Sequence, residues 1–470
     1  MEDKNTQMKD HKQIGQELEL FFTDDIAPGA PFWLPKGMVI FKELEKYIRE
    51  LTANAGYLET STPIMVKSQL FKQSGHWTKF GKGFDEMYNL SIWEENEADL
   101  VAKEMSLPET RQKVKSEVIS RKNSAPFLHT IKINSQDVDV YVMITNKLQG
   151  EFVYALPVNY SLKPMNCPES TILYRFRQRS YKELPLRLAE IGRLHRREKS
   201  GEVNGLLRVR QITMDDAHIF VTEDQIFDEI SSILDMMIAF YKKFGFAYEF
   251  RFATRPESRA GTDQMWDKAE KDLADVLKKK HIKAGDKKGD GAFYGPKVDV
   301  HIKDSLGREW QLATVQLDFH QPEAFKLAYI DNDGKEKRPV MIHRAIFGSF
   351  ERFIGILTEH YQGAFPLWLS PVQVLLLPIA DRHTEHANKV KNELAKENIR
   401  VEVDARQETL QAKIREATLQ KVPYLGIIGD KEIGSTEKMV SVRKLGKGDI
   451  GTLSTTAFIQ RVKEEIDKKI

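Results

Sequence analysis

Cysteine is nearly absent from this chain, because Cys167 is the single cysteine among 470 residues. A lone cysteine excludes an internal disulfide framework, which favours a reducing compartment, and we predict the cytoplasm. Long apolar runs are also missing, since none approaches the about 20 residues that a membrane-spanning helix requires. The first residues, MEDKNTQMKDHKQIGQ, contain no apolar stretch, so we interpret them as a polar tail and not as a signal peptide. These absences predict a protein that does not bind a membrane.

Length and charge set the next limits. At 470 residues the chain is long enough for two or three domains. Its net charge of +2 favours no anionic partner by itself, but residues 161–210 contain 12 lysines and arginines against 5 aspartates and glutamates. Because arginine binds phosphate and carboxylate groups with two parallel hydrogen bonds, this segment predicts a polyphosphate or nucleic-acid ligand. A solvated charged surface is the alternative.

Apolar patterning indicates where the main helices and strands lie. Helical periodicity predicts helices over residues 39–51, 223–243 and 344–361. Alternation of apolar and polar residues predicts strands over 186–194 and 207–214. Many strands beside few helices indicate an α+β fold centred on a sheet.

The same patterns divide the chain into regions. Residues 1–17 are the polar tail, and residues 18–370 are predicted to form the α+β domain. Within it, residues 91–160 change composition and are interpreted as an insert of helix and hairpin. After Pro371 the order of elements becomes βαβαβ, which predicts a compact α/β domain over residues 371–470.

Charged residues suited to a triphosphate lie in two adjoining segments. Arg196 and Glu198 come just before a polar loop, and Arg208 comes just after it. If the flanking segments pair as antiparallel strands, these side chains share one face, where arginines and Mg²⁺ suffice to position and neutralise a triphosphate. The sequence contains neither GxxxxGK[ST] nor GxGxxG, so neither of the two common nucleotide-binding loops supports ATP binding.

Longer phrases carry a family resemblance. They are SGHW at 74–77, LKPMNCP at 162–168, SYKELPLRLAEIG at 180–192, DDAHIF at 215–220, GAFYGPKVD at 291–299, VQLDF at 315–319 and PVMIHRAIFGSFERFIGILTEHY at 339–361. A strand ending in proline, an Arg-x-Glu strand–loop–strand and a Gly-x-x-x-Arg helix resemble the three motifs of class II aminoacyl-tRNA synthetases. The wording of the phrases resembles the threonyl-tRNA synthetase family, and the last 100 residues resemble its anticodon-binding domain. The resemblance covers nearly everything except the tail and the insert.

The resemblance implies one zinc ion per chain, with Cys167, His218 and His343 as its ligands. One thiolate, two imidazoles and an open position are typical of a zinc site that is not purely structural. In the family, the amino and hydroxyl groups of threonine take the open positions, and an aspartate that matches Asp216 accepts a hydrogen bond from the hydroxyl. Such a site rejects valine by about 10⁴–10⁵-fold, whereas the missing methyl of serine is worth only about 10–200-fold.

The resemblance also assigns the other site residues. It implies that Arg196, Glu198, Arg208, Gln311 and Arg352 bind ATP, that Tyr294, Lys297 and Gln316 surround the adenylate, that His76 assists the tRNA ribose, and that Glu432 and Arg443 read the anticodon. Arg196, Arg352 and His76 are the implied catalytic residues, and an exposed charge pair is the alternative for the two anticodon residues. The implied protein is a homodimeric threonine–tRNA ligase that uses ATP with Mg²⁺ to form threonyl-adenylate and transfers threonine to tRNA(Thr).

The sequence departs from the family pattern in three places. Ile212 replaces an aromatic residue that stacks on adenine, a loss of about 0.5–1.5 kcal/mol. Met214 replaces a glutamine, and Glu169-Ser170 replaces a glycine or phenylalanine followed by histidine. These departures keep two alternatives open: the same chemistry on another amino acid, or a non-catalytic RNA-binding regulatory paralogue. Because the chain begins close to the catalytic core, we also expect no editing domain, and hence serine activation that the protein does not correct itself.

Overall fold

The structure, a computed structural model, describes residues 8–79, 87–92, 95–122, 124, 127–155, 160–434 and 438–470. These described residues form two compact units, one within residues 1–62 and 169–470 and the other within residues 63–168. No helix within the described residues is long and apolar enough to cross a bilayer.

The helices of the described residues follow in chain order. They are α1 (His11–Glu17), α2 (Pro35–Asn54), α3 (Gln69–Gln73), α4 (His76–Lys79), α5 (Glu95–Ser106), α6 (Pro108–Ser120), α7 (Cys167–Tyr174), α8 (Ile226–Phe244), α9 (Asp263–Lys279), α10 (His320–Ala324), α11 (Phe350–His360), α12 (Thr384–Lys396), α13 (Leu410–Leu419), α14 (Asp430–Ile433) and α15 (Thr455–Asp467). Short 3₁₀ helices cover Tyr181–Glu183, Ser200–Glu202, Glu223–Gln225 and Asp381–His383.

The strands alternate with these helices. They are β1 (Phe21–Phe22), β2 (Phe32–Trp33), β3 (Leu58–Glu59), β4 (Met65–Lys67), β5 (Asn89–Leu90), β6 (Phe127–Ile133), β7 (Gln136–Asn146), β8 (Glu151–Ala155), β9 (Tyr160–Leu162), β10 (Arg179–Ser180), β11 (Leu186–His195), β12 (Gln211–Val221), β13 (Tyr248–Ala253), β14 (Ala284–Lys287), β15 (Lys297–Lys303), β16 (Glu309–Asp318), β17 (Tyr329–Ile330), β18 (Glu336–Lys337), β19 (Val340–Ser349), β20 (Val374–Pro378), β21 (Val401–Val403), β22 (Tyr424–Ile428), β23 (Met439–Lys444) and β24 (Gly448–Ser454).

An eight-stranded sheet forms the centre of the larger unit, in the order β14-β13-β15-β16-β19-β12-β11-β3. Neighbouring strands are antiparallel except at the two edges, where β14 is parallel to β13 and β3 is parallel to β11. Apolar residues of α2, α8, α9 and α11 join one face of the sheet in a single buried cluster. The predicted α+β fold on an antiparallel sheet is therefore confirmed.

Alternation along the central strands separates this core from the opposite face of the sheet. In β12, Ala217 and Ile219 belong to the buried cluster, and His218 between them faces the other way. In β19, Ile342 belongs to the cluster, and His343 faces away from it. The face opposite the helices is therefore the one that carries the histidines.

The helix predicted over residues 344–361 is wrong in its first part. Only Phe350–His360 is helical, and the residues before it belong to β19, which is buried on both faces. A strand of this kind carries a near-continuous apolar run, which periodicity cannot distinguish from a buried helix. The chain turns at Gly348, with a φ of 77°, and the Ser349 side chain accepts a hydrogen bond from the backbone N–H of Arg352 at 3.1 Å.

Residues 11–17 form α1, where the sequence pattern predicts a polar tail. His11, Ile14 and Gly15 are buried on one side of this helix. The helix is amphipathic over less than two turns, which is too short for periodicity to indicate it. The domain limits at residues 17 and 370 stay predictions.

The region after Pro371 has its own five-stranded sheet, in the order β21-β20-β22-β23-β24. The first three strands are parallel, and β23 and β24 continue antiparallel. The predicted βαβαβ order is present, while α14 and β24 are elements that the pattern does not predict. Arg400 links this sheet to the rest of the larger unit, because its Nη1 lies 2.6 Å from Glu43 Oε1.

The smaller unit contains two three-stranded antiparallel sheets, β4-β9-β5 and β6-β7-β8. Apolar residues of α5 and α6 pack with β6 and β7 in a buried cluster. The sequence predicts one helix and a hairpin for residues 91–160, and the described part of that segment has two helices and three strands. Residues 93–94, 123, 125–126 and 156–159 of the predicted insert lie outside the described residues.

Candidate active site and metal centre

Two buried histidines lie opposite each other in the central sheet. His218 of β12 pairs with His343 of β19, and their ring centroids are 5.0 Å apart with an interplanar angle of 82°. Cys167, the first residue of α7, is also buried. Among the residues that the structure describes, these three form the one group of candidate metal ligands, with ligand atoms within 4.8 Å of one another. The structure thus has a candidate Cys-His-His metal site.

Hydrogen bonding leaves one nitrogen of His343 available for a metal ion. His343 Nε2 lies 2.9 Å from Oδ2 of the fully buried Asp318. Because a carboxylate only accepts, Nε2 carries the proton and Nδ1 keeps its lone pair. Nδ1 is buried and has no hydrogen-bond partner within the described part of the chain. A buried lone pair opposite a carboxylate-bound N–H fits a zinc ligand, since metal-binding histidines usually donate their second N–H in this way.

Asp318 is a functional candidate that sequence reasoning missed. Its Oδ1 accepts hydrogen bonds from the backbone N–H groups of His320 at 2.7 Å and Gln321 at 2.9 Å. Its Oδ2 accepts from Gln321 Nε2 at 2.9 Å as well as from His343. The available signal was its position as the acidic residue of the phrase VQLDF, at the end of a strand next to that of His343.

Replacing Asp318 with asparagine is expected to weaken zinc binding by about 10–100-fold. The asparagine oxygen can replace Oδ1 toward the backbone N–H groups, which leaves the amide N–H₂ facing His343 Nε2. The imidazole proton then moves to Nδ1, the nitrogen that must bind the metal. Competition with a fluorescent chelator measures the zinc Kd, with Asp333→Asn in an exposed turn as the control. An unchanged zinc Kd in Asp318→Asn would argue against His343 as a ligand.

Polar side chains surround His343 on the same face of the sheet. The Tyr294 ring stacks on the His343 ring with centroids 4.8 Å apart, and the Tyr294 hydroxyl donates to Gln316 Oε1 at 2.5 Å. Gln316 pairs with His343 across β16 and β19, and with Lys297 across β15 and β16. The structure therefore brings together three residues that the resemblance assigns to the adenylate.

Two carboxylates lie on this face as well. Asp216 of β12 has its Oδ2 3.9 Å from His218 Nε2. Asp299 of β15 is fully buried and lies 2.8 Å from Lys297 Nζ. Asp299 was not singled out from the sequence, although alternation in β15 puts it on the side of Lys297. The carboxylate of Asp299 thus fixes the position of the lysine, which lies opposite Gln316 in the neighbouring strand.

A group of arginines lies around the turn between β11 and β12. Arg208 Nη2 lies 2.8 Å from Glu198 Oε2, so the predicted proximity of these two residues is present. They lie beyond the strand ends, because β12 begins at Gln211 and not at residue 207. Burial lowers the pKa of Arg352, and the neighbouring charges of Arg196 and Arg208 lower it further. This cluster of positive charge suits a polyanionic ligand.

Arg352 is held by backbone carbonyl groups and not by a carboxylate. Its Nε donates to Leu207 O at 2.9 Å, and its Nη1 lies 3.4 Å from Gln311 O. Its guanidinium carbon lies 5.6 Å from the centre of the Trp310 ring. Within the described residues no acidic side chain forms an ion pair with Arg352, although the charge of Glu198 opposes the pKa-lowering effect of the two arginines.

Asp215 ties β12 to the strand that leads into α11. Its carboxylate accepts hydrogen bonds from the backbone N–H groups of Ile346 at 2.8 Å and Gly348 at 2.7 Å, and it lies 3.7 Å from Arg344 Nη1. Burial raises the pKa of Asp215 to about 7, against the lowering effect of Arg344 and the backbone N–H groups. This contact fixes the turn at the start of α11, and hence the position of Arg352.

Two residues that depart from the family pattern, Ile212 and Met214, lie together in the structure. Ile212 is buried in a small apolar cluster with Leu194 and Val209, and Met214 packs against it. Strand alternation puts Ile212 and Met214 on the same face as Asp216. This part of the face is therefore apolar, where the family pattern has an aromatic ring and an amide.

The remaining predicted residues lie elsewhere. His76 belongs to the smaller unit, where it is buried and its Nδ1 lies 2.7 Å from Ser74 Oγ. Glu432 is buried at α14, and its Oε2 accepts a hydrogen bond from the backbone N–H of Gly429 at 2.8 Å. Arg443 lies in β23. Their predicted roles toward tRNA stay predictions.

Comparison with protein families defines the class of protein. Residues 155–361 match the tRNA synthetase class II core domain (G, H, P, S and T), and residues 373–465 match an anticodon-binding domain. Seven of the eight strands of the sheet, the candidate metal site and the arginine group thus lie within the matched class II synthetase core.

Comparison with individual proteins identifies the family within this class. A threonine–tRNA ligase of Desulforamulus reducens is 44% identical over 98% of this chain, and one of Carboxydothermus hydrogenoformans is 43% identical over the same share. The crystal structure of the RNA binding domain of threonyl-tRNA synthetase from Cryptosporidium parvum Iowa II is 32% identical, with a TM-score of 0.79 over 97% of this chain and 98% of that one. The chain belongs to the threonyl-tRNA synthetase family. It spans 62% of the length of the two curated relatives.

Proposed function

We propose that this protein activates L-threonine with ATP and transfers it to tRNA(Thr). The observation that carries the proposal is the buried group of Cys167, His218 and His343 on a class II synthetase core. A thiolate and two imidazoles make a three-ligand set, which leaves room for a substrate in a four-coordinate zinc site. When bound there, zinc would offer the fourth position, and a fifth on expansion of its coordination, to the amino and hydroxyl groups of threonine.

The first step joins threonine to ATP. The threonine carboxylate attacks the α-phosphorus, a P–O bond forms, and pyrophosphate leaves with the electrons of the broken P–O bond. Arg196 binds the α-phosphate and the carboxylate, while Arg208 and Arg352 bind the remaining phosphates with Mg²⁺. Such a reaction needs positioning and charge neutralisation rather than a protein nucleophile. Asp216 accepts a hydrogen bond from the threonine hydroxyl, and Lys297 and Gln316 hold the adenylate.

The second step transfers the acyl group to tRNA. The terminal ribose hydroxyl attacks the threonyl carbonyl carbon and forms an ester C–O bond, AMP leaves with the electrons of the mixed-anhydride bond, and the hydroxyl proton passes to the leaving phosphate. We assign His76 to assist this attack, and Glu432 and Arg443 to contact unstacked anticodon bases, whose edges charged side chains can read.

Pyrophosphate exchange tests the proposal directly. With the purified full chain, exchange is expected to depend on threonine. Valine is expected to support it about 10⁴–10⁵-fold less well, because it leaves Asp216 and the metal without a hydroxyl, while serine is expected to be about 10–200-fold weaker than threonine. Exchange that depends on another amino acid would favour a changed substrate. The apolar Met214 is the observation that supports this alternative. If none of the amino acids tested supports exchange, the result would contradict the assigned chemistry.

We also propose a homodimer and a cytoplasmic location. The strand β3 is an edge of the eight-stranded sheet, and Leu58 within it is 58% exposed. An apolar residue on an unpaired edge is suited to contact a second copy. Light scattering on the purified chain measures the mass, and a monomer at micromolar concentration would contradict the dimer. The lone cysteine supports a reducing compartment.

A further inference from the structure

His11 links the first helix to two segments of the candidate ATP site. Its Nδ1 lies 2.7 Å from Glu359 Oε1, and its Nε2 accepts a hydrogen bond from the backbone N–H of Leu206 at 3.1 Å. The His11 backbone N–H also donates to Glu359 Oε1 at 3.0 Å. The side chains of His11 and Glu359 are 1% and 0% exposed. Because Nε2 accepts, Nδ1 carries the proton, so both ring nitrogens are used.

Two glycines keep this link short. A Cβ at Gly205, which has a φ of 49°, would lie 2.2 Å from His11 Nε2. A Cβ at Gly355 would lie 3.1 Å from Leu206 Cβ and 3.6 Å from His11 Cδ2. The imidazole therefore fills the contact between α1, α11 and the residues before Arg208, with no space for a side chain at either glycine.

The link runs parallel to a direct contact made by Arg352. Glu359 lies seven residues after Arg352 in α11, which is two turns further on the same face of the helix. Arg352 Nε donates to Leu207 O at 2.9 Å. Residues 206 and 207 are thus joined to α11 at two points, directly by Arg352 and through His11 by Glu359. The next residue, Arg208, forms the ion pair with Glu198.

We infer that His11 is a positioning residue for ATP, an inference that rests on the proposed function. The imidazole sets the separation between α11 and residues 206–208. That separation sets the distance between Arg352 and Arg208, the two arginines assigned to the outer phosphates. Two arginines held at a fixed spacing bind a polyphosphate without first having to be ordered. The threonine site depends on β12 and β19, so His11 affects one substrate and not the other.

Replacing His11 with alanine is expected to raise the KM for ATP by about tenfold in pyrophosphate exchange, as the loss of one hydrogen bond to a charged partner, here Glu359, is typically worth that factor. The KM for threonine is expected to stay within about twofold. Direct binding of Mg·ATP, measured by calorimetry on the full chain, is expected to weaken by the same factor. His11→Gln is expected to recover most of the affinity, because glutamine offers one N–H and one oxygen over a similar reach.

Two further variants separate positioning from packing. Gln13→Ala alters an exposed residue of the same helix and is expected to change neither KM. Ile14→Ala removes buried apolar surface from α1 while keeping both hydrogen bonds of His11, and is expected to lower the melting temperature more than the ATP affinity.

Equal increases of both KM values in His11→Ala would overturn the inference, as would an effect of Ile14→Ala on ATP as large as that of His11→Ala. An unchanged KM and Kd for ATP in His11→Ala would also overturn it. If the unaltered protein shows no threonine-dependent exchange, the proposed function fails. The calorimetric comparison of the two proteins then still decides whether His11 positions the ATP site.

Discussion

Replacing Cys167 with serine is expected to remove bound zinc and threonine-dependent pyrophosphate exchange together. Cys167 is the one thiol of the candidate metal group, and the serine hydroxyl stays protonated at neutral pH and is a poor zinc ligand. Metal analysis of the purified protein is expected to fall from about one zinc ion per chain to nearly none. Exchange is expected to fall to background, since two imidazoles alone do not retain the ion.

The chain itself offers a clean readout for this variant. Because Cys167 is the only cysteine, thiol titration reports on this residue alone, and bound zinc is expected to protect it until a chelator is added. Ile172→Ala alters an exposed residue of the same helix α7 and is expected to keep both zinc and exchange. If Cys167→Ser retained zinc and exchange, the assigned metal site would be wrong.

Replacing Arg352 with alanine is expected to lower kcat for pyrophosphate exchange by about 10²–10³-fold, the usual effect of removing one oriented donor from a developing negative charge. The size of the effect follows from the hydrogen bonds and the charges around the guanidinium. Its charge is oriented by Leu207 O and Gln311 O, and its pKa is lowered by burial and by two neighbouring arginines. A bound triphosphate relieves that repulsion, so the loss falls on the ATP-bound states.

Steady-state exchange at varied ATP and threonine concentrations measures this loss. Arg352→Lys keeps the charge but cannot reach both carbonyl groups, and it is expected to recover only part of the rate. Arg193→Ala, on an exposed position of β11, is the matched control and is expected to leave kcat unchanged. A normal kcat and a normal KM for ATP in Arg352→Ala would remove this residue from the proposed mechanism.

Much of the fold could be predicted because local pattern and final structure agree. The C-terminal βαβαβ order follows from apolar periodicity that switches between strand and helix over short segments. The failure at residues 344–349 has a specific cause, because β19 is buried on both faces and lacks the alternation of an exposed strand. The strand predicted over residues 207–214 begins only at Gln211 for a related reason, since Leu207 and Val209 are apolar residues of the buried connection between β11 and β12.

The candidate site was accessible from the sequence through residue types and through long phrases that resemble one family. The resemblance implies Cys167, His218 and His343 as one ligand group, and the structure has a candidate metal site made of these three residues. The supporting residues Asp318, Asp215 and Glu359 lie in the same phrases, but their roles were not accessible in this way. Asp318, Asp215 and Glu359 are acidic residues in apolar segments, and nothing local distinguishes a carboxylate that orients a histidine from one that caps a turn.

The order of residues alone is enough to indicate the types of element, the family and the side chains able to bind a metal, a phosphate or an amino acid. These properties depend on residue chemistry and on neighbours a few positions away. Strand register and helix docking decide the rest, because they bring together residues such as His11 and Glu359, which are 348 positions apart. The pairing of His218 with His343, the proton position on His343 and the two links from α11 to residues 206–207 all depend on such contacts, whose partners no local pattern specifies.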